Sequence, residues 1–335
     1  MINVKVKKFF IPSFWLDTSI IIKIALWKTG QKLNTADRQK IPPLYEKLKK
    51  LTEQLKMFCP LSAQQEEIWK GEEVCHEIST TLSLGIKLFY KKAIRFKQLN
   101  TLMQAYINEK TRFELEYQDV FRENLIDKFS KLKYNKFIVS VLPVRIQKVE
   151  DIKRQRSNLR KGLQLLKDNI KRQGINYDEQ LKKEYESSLE AYSLILNKSI
   201  NRTIQGLPLT LTEYEGMKEL LRIIELWNKN KGNPPDIEGV ISFLKSDYFK
   251  AIPFINIQCK LGAFLLTDYS KLEDGDSMDI SHISTTLPYC TAILVDNKMK
   301  NRIHNLNLNK VYDTHVFSLK DFDSIMSYLD EIENG

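Results

Sequence analysis

Phe14-Trp15-Leu16-Asp17-Thr18-Ser19 and, far downstream, Ala292-Ile293-Leu294-Val295-Asp296-Asn297 decide the fold. Each is a short apolar run that ends in an aspartate. Such a run, bounded by polar residues, reads as a strand covered on both faces, as in a parallel sheet. The aspartate then falls at the strand's C-terminal end, where open α/β sheets place their ligands. Carboxylates gathered at such an edge repel one another unless a divalent cation joins them. This points to a metal-dependent phosphodiester hydrolase.

The flanking pattern agrees with α/β. Phe9 to Trp15 predicts a strand and Thr18 to Lys28 a helix. After a polar stretch with Pro42-Pro43, a helix is expected from Leu44 to Leu55. A short strand, Met57 to Leu61, then leads to a helix starting at Ser62, an N-cap with Gln65 as its capping-box partner. Near the other end, Phe254 to Leu266 and Asp279 to Leu287 read as helices, Ala292 to Val295 as a strand and Lys298 to Asn305 as a helix. A strand at His315 to Leu319 follows, then a final helix capped by Asp321 or Asp323. Two strands at each end are too few for a sheet. Joined, residues 1–78 and 248–335 make one α/β domain with a central parallel sheet flanked by helices.

Residues 79–247 form the interruption, a large and mainly α-helical insertion. Ile152, Leu159, Leu163, Leu166 and Ile170 recur at helical spacing and make one apolar stripe. Thr212-Glu213-Tyr214-Glu215 reads as a capping box for the helix that ends near Trp227. Phe137 to Val141 is either a strand or an extended connector. The net charge of +10 is concentrated here: between Lys153 and Arg172 eight basic residues meet one acid, Asp168. From Ser79 to Asn108 there are five basic residues and no acid, with Phe89, Tyr90 and Phe96 interleaved. Positive charge among aromatics suits a polyphosphate backbone, so Lys153, Arg154, Arg156, Arg160 and Lys161 are the candidate nucleic-acid contacts. The competing reading is a solvated helix face.

Several classes are excluded. Cys59, Cys75, Cys259 and Cys290 are scattered without a C-x-x-C, so neither a disulfide framework nor a zinc site is expected, and a reducing cytoplasm fits. The four histidines form no ligand pair. The apolar stretch from Phe9 to Trp27 contains Pro12, Asp17 and Lys23 and is read neither as a signal peptide nor as a membrane span. No P-loop and no G-x-G-x-x-G motif is present.

Leu16-Asp17-Thr18-Ser19 after an N-terminal strand resembles the opening of PIN-domain nucleases. Pro60-Leu61-Ser62, followed by Glu67-Ile68, resembles their second strand and the helix that carries the next acid. Asp276-Ser277-Met278-Asp279-Ile280-Ser281-His282, then Leu287-Pro288-Tyr289-Cys290 and Val295-Asp296-Asn297-Lys298, resemble a bacterial PIN-like subgroup. The likeness covers roughly the first 75 and last 90 residues. It implies a PIN-like central parallel sheet with four acidic positions, here Asp17, Glu67, Asp279 and Asp296, binding Mg²⁺ or Mn²⁺, and Asp276 as an auxiliary. It further implies endonucleolytic hydrolysis, of RNA and less often of DNA, leaving a 5′-phosphate and a 3′-hydroxyl.

Hard cations prefer carboxylate oxygens, and a bound divalent ion acidifies water and steadies a leaving oxygen. Each acid also has a plain structural reading. Asp17 is placed to cap the following helix, Asp296 to start a turn, and Glu67 sits beside Glu66 as surface charge. Asp276 and Asp279 are three apart and share a helical face. Two positions depart from the family: Asn297 and Thr291 stand where relatives often carry further acids. His282 is expected to pack rather than to contact substrate. The expected partner is nucleic acid, RNA preferred, with a homo-oligomer or an inhibitory protein partner also compatible. The rival readings are a non-catalytic PIN-like scaffold and a structure-specific DNA nuclease.

Overall fold

A computed structural model of the chain describes residues 2–62, 72–134 and 149–335. The expected connector at 137–141, the Gln65 capping partner and Glu67 lie outside these residues. In chain order come β1 (Asn3–Lys7), β2 (Phe14–Leu16), α1 (Thr18–Lys28), α2 (Thr35–Glu53), α3 (Glu72–Ser83), α4 (Lys91–Ile107) and β3 (Arg112–Glu116). Then follow α5 (Leu125–Tyr134), α6 (Val149–Arg172), α7 (Tyr177–Ile204), α8 (Leu211–Lys229), α9 (Asp236–Lys245), α10 (Asp247–Ala251) and α11 (Pro253–Thr267). The remainder is α12 (Asp276–Thr286), β4 (Ala292–Leu294), α13 (Asn297–Asn305), α14 (Leu308–Val311), β5 (His315–Phe317) and α15 (Phe322–Asn334). Strands β1 and β3 pair as a separate two-stranded sheet.

The chain divides into two units. An α/β unit comprises Val6–Ile94, Glu116–Gly162 and Glu273–Gly335, and a helical unit comprises Met1–Lys5, Arg95–Leu115 and Leu163–Leu272. Segments 79–94 and 116–162 therefore belong with the strands, whereas α10 and α11 belong with the helices. Both units are discontinuous in sequence.

In the α/β unit, β2, β4 and β5 form a parallel sheet in the order β2-β4-β5, with Trp15 opposite Ile293 and Ile293 opposite Val316. A parallel bridge between Ser13 and Phe58 adds a further segment on the other side of β2. There the Phe14 N–H donates to the Phe58 carbonyl at 2.9 Å and the Phe58 N–H to the Pro12 carbonyl at 3.2 Å. Every residue of β2 and β4 is buried, as central parallel strands require.

Side-chain alternation then sorts the two faces. Phe14, Leu16, Ala292 and Leu294 join Ile20 and Ile24 of α1, Leu44 and Leu48 of α2, Ile78 of α3 and Leu329 of α15 in one apolar core. Full burial of each such side chain is worth about 1.5–3 kcal/mol. Trp15 points the other way. Its ring stacks on His282 of α12, centroids 6.4 Å apart, and its Nε1–H donates to Ser62 Oγ at 3.0 Å. His282 is buried there.

Local differences from the sequence-based expectations have identifiable causes. The strand expected from Phe9 is β2 and starts at Phe14, because Pro12 has no N–H for the ladder, and β1 precedes it. Helix α2 begins at Thr35 and carries Pro42 and Pro43 inside it. Asn34 caps it by accepting from the Asp37 N–H at 2.8 Å, and burial of Ile41, Leu44, Tyr45 and Leu48 offsets the two amides that proline removes. The capping box of α8 is Thr210 with Glu213, two residues earlier than Thr212 with Glu215. The α6 stripe is only partly covered: Ile170 is buried, but Leu159 and Leu166 are 53% and 44% exposed.

In the helical unit α7 packs along α11 and α8, and α8 against α9. Trp227 is buried between α8 and α9 and donates from Nε1 to the Pro234 carbonyl at 2.7 Å. Gly239 permits that approach, since a Cβ there would lie 2.4 Å from the indole nitrogen. Lys167 is buried, and its ammonium donates to the Leu265 and Ser270 carbonyls at 2.7 and 2.9 Å. This positive charge sits at the C-terminus of α11, where the helix dipole favours it. Among the described residues no helix is long and apolar enough to cross a membrane.

Candidate active site at the C-terminal edge of the parallel sheet

Along the sheet the segments run Phe58, β2, β4, β5, so the chain crosses to one side of β2 first and to the other side later. The order reverses between β2 and β4. Open α/β sheets bind ligands beyond the strand C-termini at such a reversal. Asp17 directly follows β2, and its N–H donates to the Leu294 carbonyl at 2.9 Å, extending the ladder to the strand's last turn. Asp296 follows β4 by two residues, after the Val295 N–H has bonded the Phe317 carbonyl at 2.9 Å. The two aspartates thus leave neighbouring parallel strands at the same edge.

Each also opens a helix. One oxygen of Asp17 accepts from the Ser19 N–H at 3.1 Å and from the Ser19 hydroxyl at 2.5 Å, capping α1. One oxygen of Asp296 accepts from the Lys298 and Met299 amides at 2.7 and 3.0 Å, capping α13. The N-cap geometry holds both carboxylates at the sheet edge, near two positive helix ends.

Asp279 lies in the first turn of α12, its N–H bonded to the Gly275 carbonyl at 3.0 Å. A Cβ at Gly275 would come within 3.3 Å of a carboxylate oxygen of Asp279, a tighter approach than most side chains make. Asp276, the auxiliary acid of the sequence reading, is engaged otherwise. It is 4% exposed and accepts from Arg302 Nη1 at 2.6 Å and from the Glu273 N–H at 2.7 Å. Lys298 Nζ lies 3.6 Å from its second oxygen and 3.1 Å from Glu273. Lys298 and Arg302 both belong to α13, so these contacts tie the start of α12 to the helix that Asp296 caps.

No protein-family model, curated protein or solved structure matches this chain.

Carboxylate oxygens at two adjacent strand ends suit a hard cation, and Mg²⁺ commonly takes one or two carboxylates, keeping waters or substrate phosphates for the rest. Among the described residues, no group of three or more His, Cys, Asp or Glu side chains is placed to hold an ion. Glu67 stands outside those residues. Thr291 lies just before β4, at the opposite edge, where its hydroxyl accepts from the Ser13 N–H at 2.7 Å. Asn297 follows Asp296 directly and accepts from the Ser318 hydroxyl at 3.5 Å.

The candidate nucleic-acid contacts Lys153, Arg154, Arg156, Arg160 and Lys161 all fall in the part of α6 that belongs to the α/β unit. Lys153, Arg154 and Lys161 are exposed. Arg160 Nε bonds Asp274 at 2.8 Å, two residues before α12 begins. That contact brings the basic end of α6 beside the helix that carries Asp279. Arg302 and Lys298 were not singled out from sequence. The available signal was a basic residue between Met299 and Ile303, both buried, which put a charge on the covered side of α13.

Proposed function

We propose that this chain is a metal-dependent endonuclease with a PIN-like α/β fold, hydrolysing phosphodiester bonds in RNA with Mg²⁺ or Mn²⁺. The observation that carries the reading is the pair Asp17 and Asp296, leaving adjacent parallel strands on either side of the order reversal. Asp17 and Asp296 would hold the ion, with Asp279 and Glu67 as the further acids. A bound divalent cation supplies an acidified water and neutralises charge on the phosphate.

The chain's own residues do the positioning. Their capping bonds keep Asp17 and Asp296 at the sheet edge without a separate cost of ordering them at the moment of reaction. Lys153, Arg154 and Lys161 supply positive charge for the phosphate backbone, giving affinity that falls as salt rises. Water attacks phosphorus, the bond to the 3′ oxygen breaks, and the products are a 5′-phosphate and a 3′-hydroxyl.

The same caps favour a second reading. An aspartate that caps a helix has a sufficient structural reason to be there, which suits a non-catalytic scaffold of the same fold. Asparagine caps as well as aspartate, so Asp17→Asn and Asp296→Asn separate the two. Loss of Mn²⁺-stimulated cleavage of single-stranded RNA in folded variants supports the nuclease. Undiminished cleavage by both, or none by the wild type, leaves the scaffold. Flap and single-stranded DNA offered in parallel distinguish a DNA nuclease.

A further inference from the structure

We infer that Arg302 is a positioning residue that, through Asp276, sets where Asp279 stands relative to Asp296; the inference rests on the site proposed above. The N-cap position of helix α12 is Gly275, which has no side chain to cap it. Its start is fixed by Asp276. That carboxylate accepts from the Glu273 amide on one oxygen and from Arg302 on the other. Arg302 lies on α13, whose first turn is capped by Asp296. Asp276 and Asp279 are one turn apart on the same face of α12. The helix that carries Asp279 is thus joined to the helix that Asp296 caps by a buried charged pair, with the more exposed Lys298 contact beside it.

That pair is a poor choice for stability alone. Asp276 and Arg302 are 4% and 3% exposed, and Arg302 Nε and Nη2 have no hydrogen-bond partner among the described residues. Buried ion pairs with unmet donors are often outperformed by apolar residues of similar size. What the pair supplies and an apolar contact does not is a directional bond of 2.6 Å between the start of α12 and the last turn of α13.

The test compares wild type with Arg302→Lys, Arg302→Met and the double variant Asp276→Leu/Arg302→Met, which leaves no unpaired buried charge. Three quantities are measured: melting temperature, hydrogen exchange of the α12 first-turn amides, and Mn²⁺ affinity by calorimetry. The double variant should melt at or above wild type, yet exchange at residues 276–280 at least tenfold faster and bind Mn²⁺ at least tenfold more weakly. Arg302→Lys should recover part of both, and any RNA cleavage should lose kcat with KM little changed. Wild-type exchange and affinity in the stable double variant would overturn the inference. If wild type binds no Mn²⁺, the metal site fails, and hydrogen exchange alone decides whether Arg302 positions α12.

Discussion

Replacing Asp296 by asparagine and by alanine distinguishes helix capping from ion binding, because the two roles respond differently to the same pair of substitutions. The cap consists of two amides, Lys298 and Met299, held at 2.7 and 3.0 Å by one carboxylate oxygen. Asparagine provides an equivalent oxygen, and its cost should stay within a few tenths of a kcal/mol. Alanine provides none, and the loss should be about 1 kcal/mol. Helix α13 survives that loss because Met299 and Ile303 remain buried. For a unit of this size, ~1 kcal/mol lowers Tm by about 2–4 °C. Ion binding adds a separate signature: a ligand at a hundred times its Kd stabilises by about 2.7 kcal/mol. Wild type should therefore gain roughly 5–10 °C when EDTA is replaced by saturating Mn²⁺. Both variants should lose most of that gain, although only alanine lowers the melt in EDTA. Thermal melts of the three proteins in each condition give all six values. Coincident wild-type melts, or a full Mn²⁺ shift in Asp296→Asn, would refute the ion site and leave capping as the whole role of this residue.

Three further outcomes follow from other parts of the molecule. Reversing the exposed Lys153, Arg154 and Lys161 to glutamate should weaken RNA binding and flatten its salt dependence by roughly 0.7 per lost phosphate contact; filter binding at graded salt checks this, and an unaltered slope removes α6 from the interface. Lys167→Met should cost about 1–3 kcal/mol, since the Leu265 and Ser270 carbonyls lose a charged donor in a buried place; urea unfolding measures it, and a neutral result would mean that other donors replace the ammonium. Hydrogen bonds from Lys47 and Lys50 hold the Glu333 carboxyl down at about 2. Its folded-state value is depressed, so this stabilisation is present above the ordinary glutamate value of 4.5 and is lost as pH falls toward about 2. Glu333→Gln should flatten the acid limb of Tm against pH in that window, and an unchanged limb would count against the contact.

What was legible in the sequence was whatever depends on neighbours in the chain. Phe14 to Leu16 and Ala292 to Leu294 are apolar on both faces and sit as adjacent parallel strands. Asp17 before Thr18-Ser19 reads as a cap and is one. The start of α2 was not legible, because Pro42-Pro43 ordinarily breaks a helix, and burial of Ile41, Leu44, Tyr45 and Leu48 in the core offsets that loss. The α6 stripe misled in the other direction: helical spacing shows which residues share a face, and not whether anything covers it. At the candidate site, the partner of Asp276 was hidden for a simple reason. Arg302 is 26 residues away, and an ion pair across two helices leaves no periodic trace.

The central position of β4 has a consequence for biosynthesis. The strand that neighbours Phe14–Leu16 is translated well after it, with most of the described helices in between. Almost three hundred residues separate Asp17 from Asp296, roughly a quarter-minute to a minute of elongation at ~5–20 residues per second. Throughout that interval the nascent α/β unit presents an open edge at β2, inviting strand pairing from elsewhere or a chaperone. Until Asp296 emerges, the nascent chain has one of the two strand-end aspartates, so on the proposed reading no hydrolytic capacity precedes it.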